Sequence, residues 1–321
     1  MLFVENTLGG DISVIDETQL KEVSRIDLGD VQPDDVASSP DGETIYCNAV
    51  IPDGHPHYGA WKDSVVVAID VATLSERWRV HLPNHVGHMA ISPDGRHLYV
   101  ALFETFHVAE IDVETRAVSY IPVMFSGGHG IRVSADGRRL YVGSILMSRL
   151  DLVDLEKRSV VRSYHFPENV RPFHFNADES LLYVQNTRMH GFHVVDAATA
   201  TILRTISLPA LAPGTPTIDQ YPHTVDHGLE VTPDGKLLLA AATTGGYLAA
   251  YSLPDLTLKA TIPLGDEPYW VTISASGERA YVSNRNSDDI SAIDLGSLKE
   301  IARIPVGRLP QRMTVARSLA A

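Results

Sequence analysis

A four-residue turn returns through this chain at near-constant spacing, and that repetition limits the fold more than any other feature. It reads SPDG at 39–42 and again at 92–95, SADG at 134–137, NADE at 176–179, TPDG at 232–235 and SASG at 274–277. Each copy is followed by a short apolar run: IYCN, LYVA, LYVG, LYVQ, LLLA or AYVS. Further on, a second apolar run ends in aspartate at Asp70, Asp112, Asp154, Asp196 and Asp294. Alternating apolar residues enriched in Tyr, Val and Ile predict strands, and Pro, Asp and Gly supply the turn backbone. No segment of useful length has helical periodicity. Units of four short strands, recurring about every 40 residues, predict the blades of a β-propeller.

Six turns give six blades, and the two ends supply a seventh. LFVEN, ISVID and VSRIDLG at the N-terminus match the second, third and fourth strands of a unit, and QRMTVARSL at 311–319 matches the missing first strand. The expected fold is therefore all-β: a seven-bladed propeller of four-stranded antiparallel blades over 1–321. A blade shared between the termini closes the ring and leaves no open sheet edge. The unit at 229–262 departs most from the pattern, with LLLAA and YSLPD.

The YVSN, LYVG and LFVEN strands, the SPDG turns and the ISAID run resemble the YVTN-type β-propeller repeat family. The resemblance extends over essentially the whole chain at the level of the repeat. It implies the propeller fold and no single activity, because such propellers serve as enzymes, binding modules and surface proteins.

Internal copies separate scaffold from candidate site. A residue recurring in most blades is scaffold, so Asp16, Asp70, Asp112, Asp154, Asp196 and Asp294 and the turn aspartates are read as structural. Residues unique to one blade need another reason. Most of the 14 histidines map to the channel or to one face, here called upper, which carries the loops between second and third strands and the blade-to-blade crossovers. Counted back from the turn residue, His88, His129 and His227 fall at the mouth of innermost strands. His174, Arg132 and Glu230 share a deeper level. Two long insertions reach the same face. One is IPDGHPHYGAWKDS at 51–64, with His55, His57, Tyr58 and Trp61. The other is 209–228, which carries His223.

Three functions fit this pattern. The first is a metal-dependent oxidoreductase, lyase or hydrolase acting on a small organic molecule in a histidine-lined pocket on the upper face. Imidazoles from several blades suit a divalent transition metal such as Cu, Fe, Zn, Mn or Ni, with His88, His129 and His227 as ligands and His57 or His223 added from an insertion. The second is a metal-free, lactonase-like hydrolase in which His174, Glu230 and Arg132 form an acid–base group. The third is a binding scaffold without chemistry. In it Tyr58, Trp61, Phe106, Tyr269 and Trp270 act as contact anchors; with a substrate in the pocket, these residues and Arg312 are the expected substrate-binding residues.

Composition narrows the partners. The net charge is −14 and no Lys/Arg run interrupts it, so nucleic acid is not an expected partner. No stretch approaches the ~18 apolar residues of a membrane span. Cys47 is the only cysteine, which with the absence of a signal-peptide pattern leads to the expectation of a cytoplasmic protein.

Overall fold

The computed structural model describes residues 1–52, 63–215 and 224–316. These form seven four-stranded antiparallel sheets and no helix. The ring closes as the sequence predicts. The strand Pro310–Val315 is the inner strand of the blade whose other strands are Leu2–Asn6, Asp11–Asp16 and Lys21–Asp27. We number this blade 1 and the others 2 to 7 along the chain. The amino group of Met1 also donates to the carbonyl of Ala316 at 3.1 Å.

Burial follows strand position. Second strands such as Leu2–Asn6 and Thr44–Val50 are buried at every residue, because each blade is covered on both faces by its neighbours. Outer strands such as Lys299–Pro305 alternate exposed with partly or fully buried residues, as expected with one face in water. Apolar residues of neighbouring blades form seven separate clusters, one per blade boundary.

The recurring aspartates are structural. In the SPDG turn, Gly42 takes φ of 70° and Asp41 accepts from Glu43 N at 3.0 Å. Thr44 N also donates to Ser39 Oγ at 3.0 Å. The aspartates that end third strands accept the amides of the following turn, as Asp70 does from Thr73 N and Asp196 from Thr199 N.

One irregularity positions the channel residues. The inner strands of blades 1, 2, 3, 4, 5 and 7 each shift register near their upper end, with one extra residue against the second strand. Such a bulge turns two adjacent side chains off the regular pleat. Side chains of the second strands take up the freed amides. Glu5 Oε1 accepts from Arg312 N at 2.9 Å, and Ser283 Oγ from Trp270 N at 3.1 Å. At the matching place in blade 6, Gly228 has φ of +135° and its amide donates to Gln185 Oε1 at 2.9 Å.

Candidate functional site

Two tiers of side chains face the axis. The deeper tier lies in the regular part of the inner strands, four residues before the turn residue, where each strand keeps its pleat. Here blade 4 presents Arg132, blade 5 His174 and blade 6 Glu230, while blades 2, 3, 7 and 1 present Ala37, Ala90, Thr272 and Thr314. The three polar groups meet. His174 Nε2 lies 2.9 Å from Glu230 Oε1, and Arg132 Nη2 lies 3.5 Å from Glu230 Oε2. Arg132 Nε also donates to the carbonyl of Phe173 at 2.7 Å.

The other His174 nitrogen, Nδ1, faces the carbonyl of Phe175 at 2.8 Å. Both ring nitrogens thus face oxygen atoms of neighbouring groups. Burial pushes the Glu230 carboxyl up, but the adjacent His174 ring and Arg132 guanidinium outweigh it and hold the carboxyl below the usual range. Glu230 and Arg132 line an axial cavity of about 620 Å³; its lining extends from Asp35, His88, Trp270 and Arg312 down to the turn-side residues Pro233, Ser274 and Ala275. The sequence leads one to expect His174 as the base. Its ring is committed on both sides, and Glu230 is the carboxylate that faces the cavity.

The upper tier comes from the bulges. Rings of His88 and His129 pack with centroids 3.7 Å apart, and His227 lies 6.4 Å and 6.3 Å from them. The histidines expected to converge do so. They sit in the interior rather than in an open upper pocket: His227 is fully buried and stacks on Tyr269 at 3.8 Å. Burial holds all three rings well below the ordinary imidazole range, and the nearby Arg312 and Arg171 add to this. The Arg312 guanidinium stacks 3.2 Å from the centre of the Trp270 ring and packs directly against His88.

Among the described residues, no three His, Cys, Asp or Glu side chains are disposed to hold a metal ion. His57 and His223, with Tyr58 and Trp61, lie outside the described residues. Phe106 is exposed on a loop of blade 3 and does not reach the channel, whereas Trp270 and Arg312 line the cavity.

Sequence reasoning missed the buried charge around this tier. Asp34, Asp35, Arg171 and Glu5 all lie here. Burial, and then the charge of Asp35, push Asp34 up to about 7. The signal was available for three of them: Asp34 and Arg171 stand seven residues before their turn residues, as His129 and His227 do, and Asp35 stands six before, as His88 does. A further pair links Pro209 and Asp226, in the described ends of the 209–228 insertion. His190 Nδ1 lies 3.1 Å from buried Asp226, and His190 Nε2 lies 2.8 Å from the carbonyl of Pro209.

No family model matches the chain, and no curated protein sequence does. Solved structures do resemble it. The periplasmic gluconolactonase PpgL of Pseudomonas aeruginosa superposes with a TM-score of 0.74 at 17% identity, covering 98% of both chains. The chain shares this fold. Hydrazine synthase of Kuenenia stuttgartiensis gives 0.69 at 20% identity, over 87% of this chain and 88% of that one. A protein of unknown function from Desulfotomaculum acetoxidans gives 0.78 at 11% identity, over 98% of both. No helix among the described residues is long and apolar enough to cross a membrane.

Proposed function

We propose that this chain is a YVTN-type propeller enzyme of the lactonase-like hydrolase class, acting on a small molecule in the axial channel. One observation carries the reading: Arg132, His174 and Glu230, from three successive blades, close into a single hydrogen-bonded group on the wall of a cavity. Glu230 stays ionised through the neutral range, held by His174 and Arg132. It accepts a proton from a water molecule, and the water oxygen bonds to the lactone carbonyl carbon. Arg132 faces the same cavity and stabilises the negative charge that forms on the carbonyl oxygen. The ring C–O bond then breaks, and the proton passes from Glu230 to the departing oxygen. Lactone and water give one hydroxy acid, and Glu230 returns to its starting state. His174 is a positioning residue that fixes and charges the Glu230 carboxylate. The fold likeness to a protein named a gluconolactonase is consistent with this reading.

The test is acid release from a panel of five- and six-membered lactones, followed with a pH indicator. The parent should turn over at least one of them. Glu230→Gln should lower kcat by ~10²-fold or more, the scale of lost general-base catalysis, with a smaller change in KM. Acid release by Glu230→Gln at the parental rate would overturn the proposal.

A second reading rests on two atoms. His129 Nδ1 and His227 Nε2 are buried without a hydrogen-bond partner among the described residues, and a divalent transition metal held with His57 or His223 would satisfy both. The Arg312 cation against His88 opposes it, since it places a positive charge beside the same rings. Elemental analysis of protein purified without a polyhistidine tag decides this reading. A stoichiometric metal that is lost in His129→Ala supports it, and a metal-free parent that turns over lactone eliminates it.

A further inference from the structure

The end of the cavity opposite its turn-side lining is capped by Arg312, whose surroundings are unusual for a guanidinium. The residue is only 6% exposed. One face lies on Trp270 and one edge against the His88 ring. No carboxylate lies within ion-pair distance of it among the described residues, and its Nε has no hydrogen-bond partner there. Asp35 also lines this end, but its oxygens are taken by backbone amides: Oδ1 by Val36 N at 2.8 Å and Oδ2 by Met89 N at 2.7 Å. Glu5 accepts the Arg312 backbone amide rather than the guanidinium. Asp35 and Asp34 attract the guanidinium without pairing directly with it, and a buried cation without a direct ion pair is costly. The side chain is nonetheless held in one position by an aromatic plane on one side and an imidazole on the other, which suits a planar, bidentate partner.

Arg312 stands two residues nearer the upper face than the tier of Arg132, His174 and Glu230. Arg312, Arg132 and Glu230 line the same cavity, so a ligand reaching from one tier to the other has a reactive bond at one end and an anionic group at the other.

We propose that Arg312, braced by Trp270 and His88, is a carboxylate-recognition site, and that the natural substrate is a lactone carrying a free carboxylate. The inference rests on the hydrolase reading for the identity of the reacting group and on Arg312 alone for the carboxylate. A single guanidinium beside the engaged Asp35 carboxyl matches a monoanion better than a phosphate dianion. Hydrolysis of such a lactone yields a dicarboxylate bearing a hydroxyl group.

The experiment has a binding arm and a turnover arm. In the first, pentanoate, pentanamide and inorganic phosphate are titrated into the full-length protein by calorimetry. Pentanoate should bind, pentanamide should bind at least ~10-fold more weakly, and Arg312→Gln should lose the difference, a loss on the scale of one charge-assisted bidentate contact. Equal binding of acid and amide, or parental pentanoate affinity in Arg312→Gln, would overturn the site. Phosphate binding more tightly than pentanoate would overturn the choice of carboxylate. In the second arm, glucaro-1,4-lactone, which carries a carboxylate, is compared with glucono-1,4-lactone, which does not. Arg312→Gln should raise KM for the first at least ~10-fold more than for the second. Turnover that depends on Glu230 while Arg312→Gln leaves both KM values alone would sink the carboxylate site and spare the hydrolase. Carboxylate binding that depends on Arg312 in a protein that opens no lactone would do the reverse. Should Arg312→Gln fail to fold, Arg312→Lys replaces it in both arms. It keeps the charge and removes the fork, and parental selectivity for the acid in that variant counts against bidentate recognition.

Discussion

At the scale of single residues, the buried carboxyls make the protein's stability depend on pH in a definite sense. Burial and the charge of Asp35 raise Asp34 to about 7, and burial raises Asp226 to about 6. A carboxyl raised on folding binds more protons in the native state than in the unfolded one, so stability falls as pH climbs from the unfolded value toward the folded one. Between pH 4 and 7 these two carboxyls therefore subtract stability as pH rises, whereas His88, His129 and His227, held below the ordinary imidazole range, subtract stability as pH falls below about 6.5. The turn aspartates act oppositely to the two raised carboxyls. Thr18 donors lower Asp16, Arg77 lowers Asp70 and Thr232 lowers Asp234, each to about 2, so their contribution is lost as pH drops below ~4. Asp34→Asn keeps the shape and removes the titration, so its melting curve should match the parent near pH 4 and rise above it by pH 7.5. Parallel parent and variant profiles would show that Asp34 does not titrate in this window.

At the scale of the strand, the bulge decides which residues reach the axis, and it was the part least legible in the sequence. Counting back from the turns finds the regular tier without difficulty, because a strand alternates faces with a fixed period. Arg132, His174 and Glu230 were found that way, as was their shared depth. Past the bulge the period breaks, and residues six and seven before the turn both turn inward. The histidines were visible there by residue type alone. Their burial, and the company of Asp34, Arg171 and Glu5, were not, because partners from other blades supply it. Gly87 shows how tightly the bulges fit. A Cβ at this position would lie 2.6 Å from the carbonyl oxygen of Gly128 and 2.8 Å from the Cα of His129. Only a residue without a side chain lets blades 3 and 4 approach closely enough to pack His88 on His129. Gly87→Ala should cost about 1–3 kcal/mol, the usual range for overpacking, seen as a lower midpoint in urea with an unchanged slope. A midpoint equal to the parent's would mean the two bulges can separate freely.

At the scale of the molecule, the fold was legible because its determinants are local and repeated. Turn chemistry and alternation recur in copy after copy, and even the shared blade could be read from strand types left over at the two ends. Function was less legible because the ring brings together residues distant in sequence. Arg132 and Glu230 are 98 positions apart, yet they belong to one group. The central claim is that this group works as a unit, and a double-mutant cycle on lactone hydrolysis tests it most directly. Glu230→Gln, His174→Ala and the double variant are compared by kcat/KM. Side chains acting as one unit are strongly non-additive, so removing the second should cost little once the first is gone. The account predicts a double variant no more than a few-fold slower than Glu230→Gln alone. Losses that multiply, with the double variant slower by the product of the two single effects, would show that His174 does not act through Glu230 and would contradict it.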